Sequence, residues 1–383
     1  MLLWKRRIYM DYASTTPVDP RVIKAMLPYF SEKIGNTMSP HVWGLEAREA
    51  LENAREVVAS FIKASPVEVI FTGSATESNN LAVKGIAFSN RARGRHIVTS
   101  KIEHLSVLDP VKWLERNGFE VTYIPVNEDG LVDPSDVEGA IRKDTILVSI
   151  MHTNNEIGTI EPIEEIGEIC RRHGVYFHVD AAQSVGKLPI DVDKMNVDLL
   201  TMSSHKIYGP KGVGALYIRE GVRIEPLLHG GGHEYGLRSS TVNVPGIVGF
   251  AKACEIARDS MDEELGRLRK LCKRLIEGVA EIEGAHLTGH PERRLPTIAS
   301  FWLEFIDGER LMFELNERGI AASTGSACSS GKIEPSHVLL AIGLNERQAR
   351  SGLRLSIGRW TKPSEIECVI NVLAEIRRKY ARC

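Results

Sequence analysis

Asp180 and Lys206 each close a run of apolar residues, and both are ionisable types that burial makes reactive. In VYFHVD the carboxylate of Asp180 ends a strand-like run, where a charge is costly unless a cation or several hydrogen bonds face it. In LLTMSSHK the lysine follows a similar run together with Ser203, Ser204 and His205. Burial lowers a lysine pKa toward that of a nucleophilic amine. For these two residues alone, a salt bridge is the simpler reading. A third segment, GSATES (73–78), sets glycine and small hydroxyl residues between an apolar run and a helical pattern. Free N–H groups and the positive end of a helix dipole at such a junction form a cradle for an anion such as phosphate. An ordinary cap by Ser74 or Thr76 is the plainer alternative. No G-x-x-x-x-G-K-[ST] occurs, so a P-loop nucleotide site is not supported. A lysine for a Schiff base, an aspartate for a pyridinium nitrogen and a phosphate cup together describe a site for pyridoxal 5′-phosphate.

Those residues need a scaffold that gathers distant segments. EVIFTG (68–73), HIVTS (96–100), EVTYIPV (120–126), TILVSIM (145–151), VYFHVD (175–180), LLTMSS (199–204) and GALYIR (214–219) read as strands, with amphipathic helical stretches between them. Gly118 and Gly174 stand where helices would end on a glycine cap. Short Val/Ile/Leu-rich strands separated by crossover helices predict a largely parallel sheet covered on both faces. Ligands bind beyond the carboxyl ends of such strands. Five of the ends run into polar residues, GSATESNN, KIEHLSV, HTNNEIGT, AAQSVG and HKIYGPKG, and are expected to converge. After Gly249 the pattern changes to one long charged helix over 250–283, then PTIASFWLEF, a helix LMFELNERG, a Ser/Gly-rich loop, RLSIG and a last helix from about 363 to 380. The expected organisation is a large α/β domain over 14–259 and a smaller α+β domain made of 1–13 and 260–383.

The 383 residues are 43% hydrophobic and 26% charged, enough for two domains. Forty-eight basic against fifty acidic residues leave a net charge of −2, which argues against a general nucleic-acid binder. No apolar stretch is long enough for a membrane span, and Lys5, Arg6 and Arg7 interrupt MLLWKRRIYMDY before a signal-peptide core forms. A cytoplasmic location is expected. The six cysteines form no C-x-x-C pair, so neither a zinc knuckle nor a dithiol is indicated.

The chain resembles the fold-type I pyridoxal-phosphate enzymes of the class V aminotransferase superfamily, and more closely the cysteine desulfurases of the NifS/IscS group. The resemblance runs from YMDYASTTPVDPRV through GSATESNNLAVKG, HTNNEIGTIEPI, HVDAAQSVGK, SSHKIYGPKGVGALY and STGSACSSG to RLSIGRW, and SSHKIYGPKG followed by GSACSS is its most specific part. It implies a homodimer, pyridoxal 5′-phosphate carried on Lys206, and conversion of L-cysteine to alanine with the sulfur left on the enzyme as a persulfide. By the same resemblance Ala75, Thr76, Ser203 and His205 hold the cofactor phosphate, joined by Thr241 from the other subunit. Asp180 faces the pyridine nitrogen, while Gln183 and Asn155 lie near the ring oxygen and the substrate carboxylate. His104 stacks on the ring and moves protons, a task for a neutral imidazole. Arg354 grips the substrate α-carboxylate, which suits a planar guanidinium. The next arginine, Arg359, is expected to be structural.

Cys328 separates this group from ordinary aminotransferases. Its neighbours in STGSACSSGKIEP are small and predict a mobile loop, as the implied chemistry requires. The thiolate must reach the substrate sulfur and then carry a persulfide outward. The implied acceptor is an iron–sulfur scaffold or a tRNA-thiolation protein. No resident metal is implied, although Cys328 would meet an iron–sulfur cluster during transfer to a scaffold. A selenocysteine lyase, or another β-eliminating enzyme with the same cofactor, is the alternative within the class. A sulfur-transfer scaffold without catalysis is the alternative outside it, and Lys206, Asp180, His104 and Cys328 together speak against that.

Some positions depart from the family pattern. GNTMSPH (35–41) stands where Gly-Asn-Pro-Ser-Ser is usual, and Ser240 replaces the glycine of RSGT. The sequence ends on EIRRKYARC, and the longer extension that docks the scaffold in some relatives is expected to be absent. Its basic end is read as a solvated helix tail or a contact for an acidic acceptor.

Overall fold

The structure is a computed structural model that describes residues 7–325 and 335–380. The seven expected strands form one sheet in the order Val69–Thr72, Gly214–Ile218, Leu199–Ser203, Tyr176–Asp180, Thr145–Ser149, His96–Ser100 and Glu120–Ile124. Gly214–Ile218 runs antiparallel to both neighbours, and the other pairings are parallel. Strands 69–72, 96–100, 145–149, 199–203 and 214–218 are buried along their whole length, whereas the edge strand 120–124 is mostly half-exposed. Continuous apolar burial is what helices on both faces of a sheet produce, and each fully buried Val, Ile or Leu side chain contributes about 1.5–3 kcal/mol.

Helix Ile163–His173 shows how local sequence sets an element's limits. Ile163, Ile166, Ile169 and Cys170 make its buried stripe, Glu164 and Glu165 sit in its first turn, and Arg171, Arg172 and His173 in its last. That charge order complements the helix dipole. Gly174 closes the helix at φ 62°, a conformation glycine adopts without steric cost.

The long helix spans Val244–Ala280, so it starts six residues before the expected 250. Pro245 lies in the first turn, where its missing N–H costs nothing, and Asn243 caps the helix by accepting from the Gly246 N–H at 3.1 Å. Gly246 and Gly249 permit close packing: a Cβ would lie 2.4 Å from Val213 Cγ2 and 2.6 Å from the Met26 sulfur, respectively. Ile247, Phe250, Cys254 and Ile256 of this helix pack in the core of the large sheet. Leu268, Leu271, Leu275 and Val279 pack in a second core with Phe301, Leu353 and Ile366. One helix is therefore shared by both cores.

The second core backs an antiparallel sheet of Gly352–Ser356, Ile298–Leu303 and Ala285–Thr288. Near it, Ile8–Tyr9 pairs in parallel with Ile320–Ala321. The following residues cross to the large sheet, where the Thr16 N–H donates to the His205 carbonyl at 3.0 Å. This arm carries Ala13 and Ser14 past the carboxyl ends of the parallel strands.

Candidate active site

A cavity of about 380 Å³ opens there, and all five polar strand ends contribute to its wall. Ala75, Thr76, His104, Asn155, Asp180, Gln183, Ser203, His205 and Lys206 line it from the large sheet's side, and Arg354 reaches it from strand Gly352–Ser356. Thr241 does not line this cavity and is exposed. Cys328 lies outside the described residues, whereas Gly325, three positions before it, is part of the wall.

The salt bridge that Asp180 and Lys206 would make as an isolated pair is not formed. Lys206 Nζ donates instead to the Ala13 carbonyl at 2.5 Å and the Ser14 carbonyl at 2.8 Å. Burial, and next the positive Arg354, push the Lys206 pKa down to about 8. Asp180 is buried, and its carboxylate accepts from Asn79 Nδ2 at 2.7 Å and from the Ala182 N–H at 2.9 Å.

Asn79 also donates to Ser106 Oγ at 2.8 Å, and that hydroxyl lies 2.7 Å from His104 Nδ1. The Ser106 N–H donates to the same Nδ1 at 3.1 Å, which makes this nitrogen the acceptor and assigns the ring proton to Nε2. The imidazole is open to the cavity but surrounded by protein, and burial holds its pKa below the ordinary value. A neutral ring with a fixed tautomer follows. Asn79 and Ser106 join the candidate site through these bonds and were not singled out from the sequence, although both fall inside the quoted GSATESNN and KIEHLSV segments.

The helix Ala75–Asn90 begins at the cavity with Ser74 as its cap, the Ser74 hydroxyl accepting from the Glu77 N–H at 3.1 Å. Cap and anion cradle coexist, because the Ala75 and Thr76 N–H groups belong to a first turn that has no helical acceptor for them. Gly214 lets this turn settle on the sheet: a Cβ there would come 2.7 Å from the Ser74 carbonyl carbon and 2.9 Å from the Ala75 nitrogen. Ser203 Oγ faces the same cavity, buried and without a hydrogen-bond partner among the described residues. His205 is held near neutral character, its pKa pushed down to about 4 by burial and then by Lys206, with Nδ1 3.1 Å from Thr15 Oγ1. Unused donors from the helix start, a serine and a histidine suit a phosphate.

Arg354, 4% exposed, donates from Nη1 to the Asn155 carbonyl at 2.9 Å, and from Nη2 to Asp11 Oδ1 at 2.8 Å and Ser14 Oγ at 2.7 Å. Its Nε is buried without a partner among the described residues, so the guanidinium keeps donor capacity for an anionic ligand. Arg359 has a different setting. It ion-pairs with Asp19 and Glu264, each at 2.8 Å, away from the cavity wall.

The aminotransferase class-V family model matches residues 8–369. The chain is 51% identical over 374 residues to a cysteine desulfurase IscS of Methanosarcina thermophila, covering 98% of this chain and 93% of that one. It is 50% identical over 365 residues to cysteine desulfurase IscS 1 of Archaeoglobus fulgidus, with 95% of each covered. Among solved structures, a NifS-like protein superposes with a TM-score of 0.92 at 42% identity, over 97% of this chain and 99% of that one. With the fold, the lysine-bearing strand end and this similarity along nearly the whole length, the chain belongs to the class-V aminotransferase family and, within it, to the cysteine desulfurases of the IscS type.

Proposed function

We propose that this enzyme binds pyridoxal 5′-phosphate in the cavity at Lys206, takes sulfur from L-cysteine, and passes it to an acceptor through Cys328. The observation that carries the reading is the convergence of Lys206, Asp180 and Arg354 on one cavity, with none of the three paired to another. The residues present fit the cofactor. The orphaned Ser203 hydroxyl, the Ala75 and Thr76 N–H groups and His205 would receive its phosphate, Asp180 its pyridine nitrogen, and Gln183 its ring oxygen. Once bound, the cofactor supplies an electron sink that makes the substrate's α-proton removable.

The protein's own groups do the rest. Lys206, with its lowered basicity, would anchor the cofactor and exchange a proton at the substrate α-carbon. Asp180, held by Asn79 and the Ala182 N–H, keeps a negative charge oriented at the far end of the cavity. His104, with its proton on Nε2, would lie beside the cofactor and move a proton at the reacting end. Arg354 and Asn155 orient the substrate carboxylate. The Cys328 thiolate attacks the substrate sulfur; the new S–S bond forms as the C–S bond breaks, and the carbon left behind is protonated to give alanine.

A homodimer belongs to the same reading. Thr241 is exposed and off its own chain's cavity, as a residue serving the partner's site would be. Leu27, Phe30, Ile34, Met38, Val42 and Trp43 form an exposed apolar stretch, each more than half exposed, of the kind an interface covers. Ser240, just before Thr241, has φ 136°, a region that favours glycine, so the replaced glycine of RSGT leaves a strained backbone there. The acceptor is an iron–sulfur scaffold or a tRNA-thiolation protein, and the reading places the enzyme in the cytoplasm; no described helix is long and apolar enough to cross a membrane. The deciding experiment incubates cofactor-loaded protein with L-cysteine and a thiol reductant. Equimolar alanine and sulfide are expected, and their absence overturns the proposal.

A further inference from the structure

We infer that Lys187 is a positioning residue that fixes the orientation of the Gln183 carboxamide toward the cofactor cavity; the inference rests on the reading of that cavity as the pyridoxal-phosphate site. Lys187 is 9% exposed, and none of the ion pairs among the described residues includes it. A buried amine without a carboxylate is costly. Its one hydrogen bond among the described residues runs from Nζ to Gln183 Oε1 at 3.3 Å. Gln183, four residues back in the same turn segment and on the cavity wall, donates from Nε2 to the Ala13 carbonyl at 2.9 Å.

The two contacts impose the same orientation independently. An ammonium or amine at Lys187 offers hydrogens, so it selects the amide oxygen. A backbone carbonyl only accepts, so Ala13 selects the amide nitrogen. Only one of the two Nε2 hydrogens is used by Ala13, and the second remains for a ligand acceptor in the cavity. Without Lys187 the oxygen loses its partner, the Ala13 contact alone holds the amide, and the flipped carboxamide, which presents an acceptor to the ligand, becomes more populated. The Ala13 carbonyl that receives Gln183 also receives Lys206 Nζ, so the chain Lys187–Gln183–Ala13 ends at the site lysine. Burial and then the nearby Lys206 push the Lys187 pKa down to about 7, consistent with an amine held for its donor geometry rather than its charge.

The test compares the wild-type protein with Lys187→Met, Lys187→Gln and Gln183→Ala, and reads cofactor affinity and apo-protein melting separately. Replacing a buried unpaired amine by an apolar chain of similar length leaves folding unchanged or improved. Lys187→Met is therefore expected to melt at or above the wild-type temperature without cofactor, yet to bind pyridoxal 5′-phosphate about fivefold more weakly, the effect of roughly one hydrogen bond. Lys187→Gln, which keeps an N–H to offer, is expected to recover part of that affinity. In a Gln183→Ala background, Lys187→Met should change affinity no further. Wild-type affinity in Lys187→Met, a full additional loss in the Gln183→Ala background, or an apo protein that melts lower or does not fold, would each overturn the inference. Failure of the wild-type protein itself to bind the cofactor would take down the reading of the cavity together with the inference.

Discussion

Lys206 and Asp180 line the same cavity without touching: the amine is bound to the Ala13 and Ser14 carbonyls, and the carboxylate to Asn79 and the Ala182 N–H. An isolated buried pair of this kind would close on itself, because each charge would otherwise lack compensation. Here the N-terminal arm supplies carbonyls to one and the helix Ala75–Asn90 supplies an amide to the other. Both stay available to opposite ends of a ligand placed between them.

Lys206→Ala is expected to abolish alanine formation while leaving measurable binding of pyridoxal 5′-phosphate, because the helix start, Ser203, His205 and Asp180 remain. Binding is read by equilibrium dialysis and turnover by alanine release. Alanine release near the wild-type rate would remove Lys206 from the catalytic assignment.

Asp180→Asn is expected to bind the cofactor but to lose most turnover, since a neutral amide no longer supports a positive pyridine nitrogen. Losing one such electrostatic support raises a barrier by about 3–4 kcal/mol, or a hundredfold or more in kcat. An Asp180→Asn protein with unaltered kcat would make the carboxylate a structural partner of Asn79 only.

Ser203→Ala separates binding from folding. The hydroxyl is buried without a partner among the described residues, so its removal should leave the apo melting temperature unchanged or slightly higher. Affinity for pyridoxal 5′-phosphate should fall about tenfold, as for one lost hydrogen bond to a charged group. Equal affinity would show that the phosphate lies elsewhere.

Glu103, next to His104 in the chain, is fully buried; its Oε1 accepts from Ser100 Oγ at 2.6 Å and the Met151 N–H at 2.9 Å, while Oε2 has no partner among the described residues. Burial pushes its pKa up to about 8. A carboxyl raised in the folded state stabilises fully below its unfolded pKa, and the contribution is lost as pH rises toward the folded value. Glu103→Gln cannot ionise and escapes that loss. The melting temperature of the variant relative to wild type should therefore climb between about pH 5 and pH 8. A difference that stays constant with pH would mean that Glu103 is ionised in the fold.

The sheet was legible because strands buried on both faces read as continuous apolar runs, and the candidate site because five of those runs end abruptly in polar residues. Asp180 and Lys206 illustrate this directly. Asn79 was not legible: it is one of several polar residues in TESNN, and only the docking of that helix on the sheet decides that it, not Asn80, faces Asp180. The start of the long helix was hidden by Pro245, Gly246 and Gly249, residues unfavourable for a helix interior that are used here for the first turn and for close packing. Lys187 was visible in AAQSVGK, but nothing in the spacing tells that its amine turns inward to Gln183.

Cys328→Ser should divide the reaction in two. The change keeps the size and polarity of the side chain, so folding and cofactor binding, which rest on Lys206, Asp180 and the helix start, should survive. L-cysteine should still bind, since Arg354 and Asn155 are untouched. Sulfur transfer should fail, because a serine hydroxyl near neutral pH is a far weaker nucleophile than a thiolate and forms no persulfide. Cys170, Cys254 and Cys272 are internal controls: all three are buried, and burial raises their thiol pKa values well above the usual range. Mass spectrometry of the wild-type protein after incubation with L-cysteine should show a gain of about 32 Da, one sulfur added to a thiol, on the peptide holding Cys328. A label found mainly on Cys368 or Cys383, with Cys328→Ser fully active, would assign the sulfur carrier to a different residue and end the proposed mechanism.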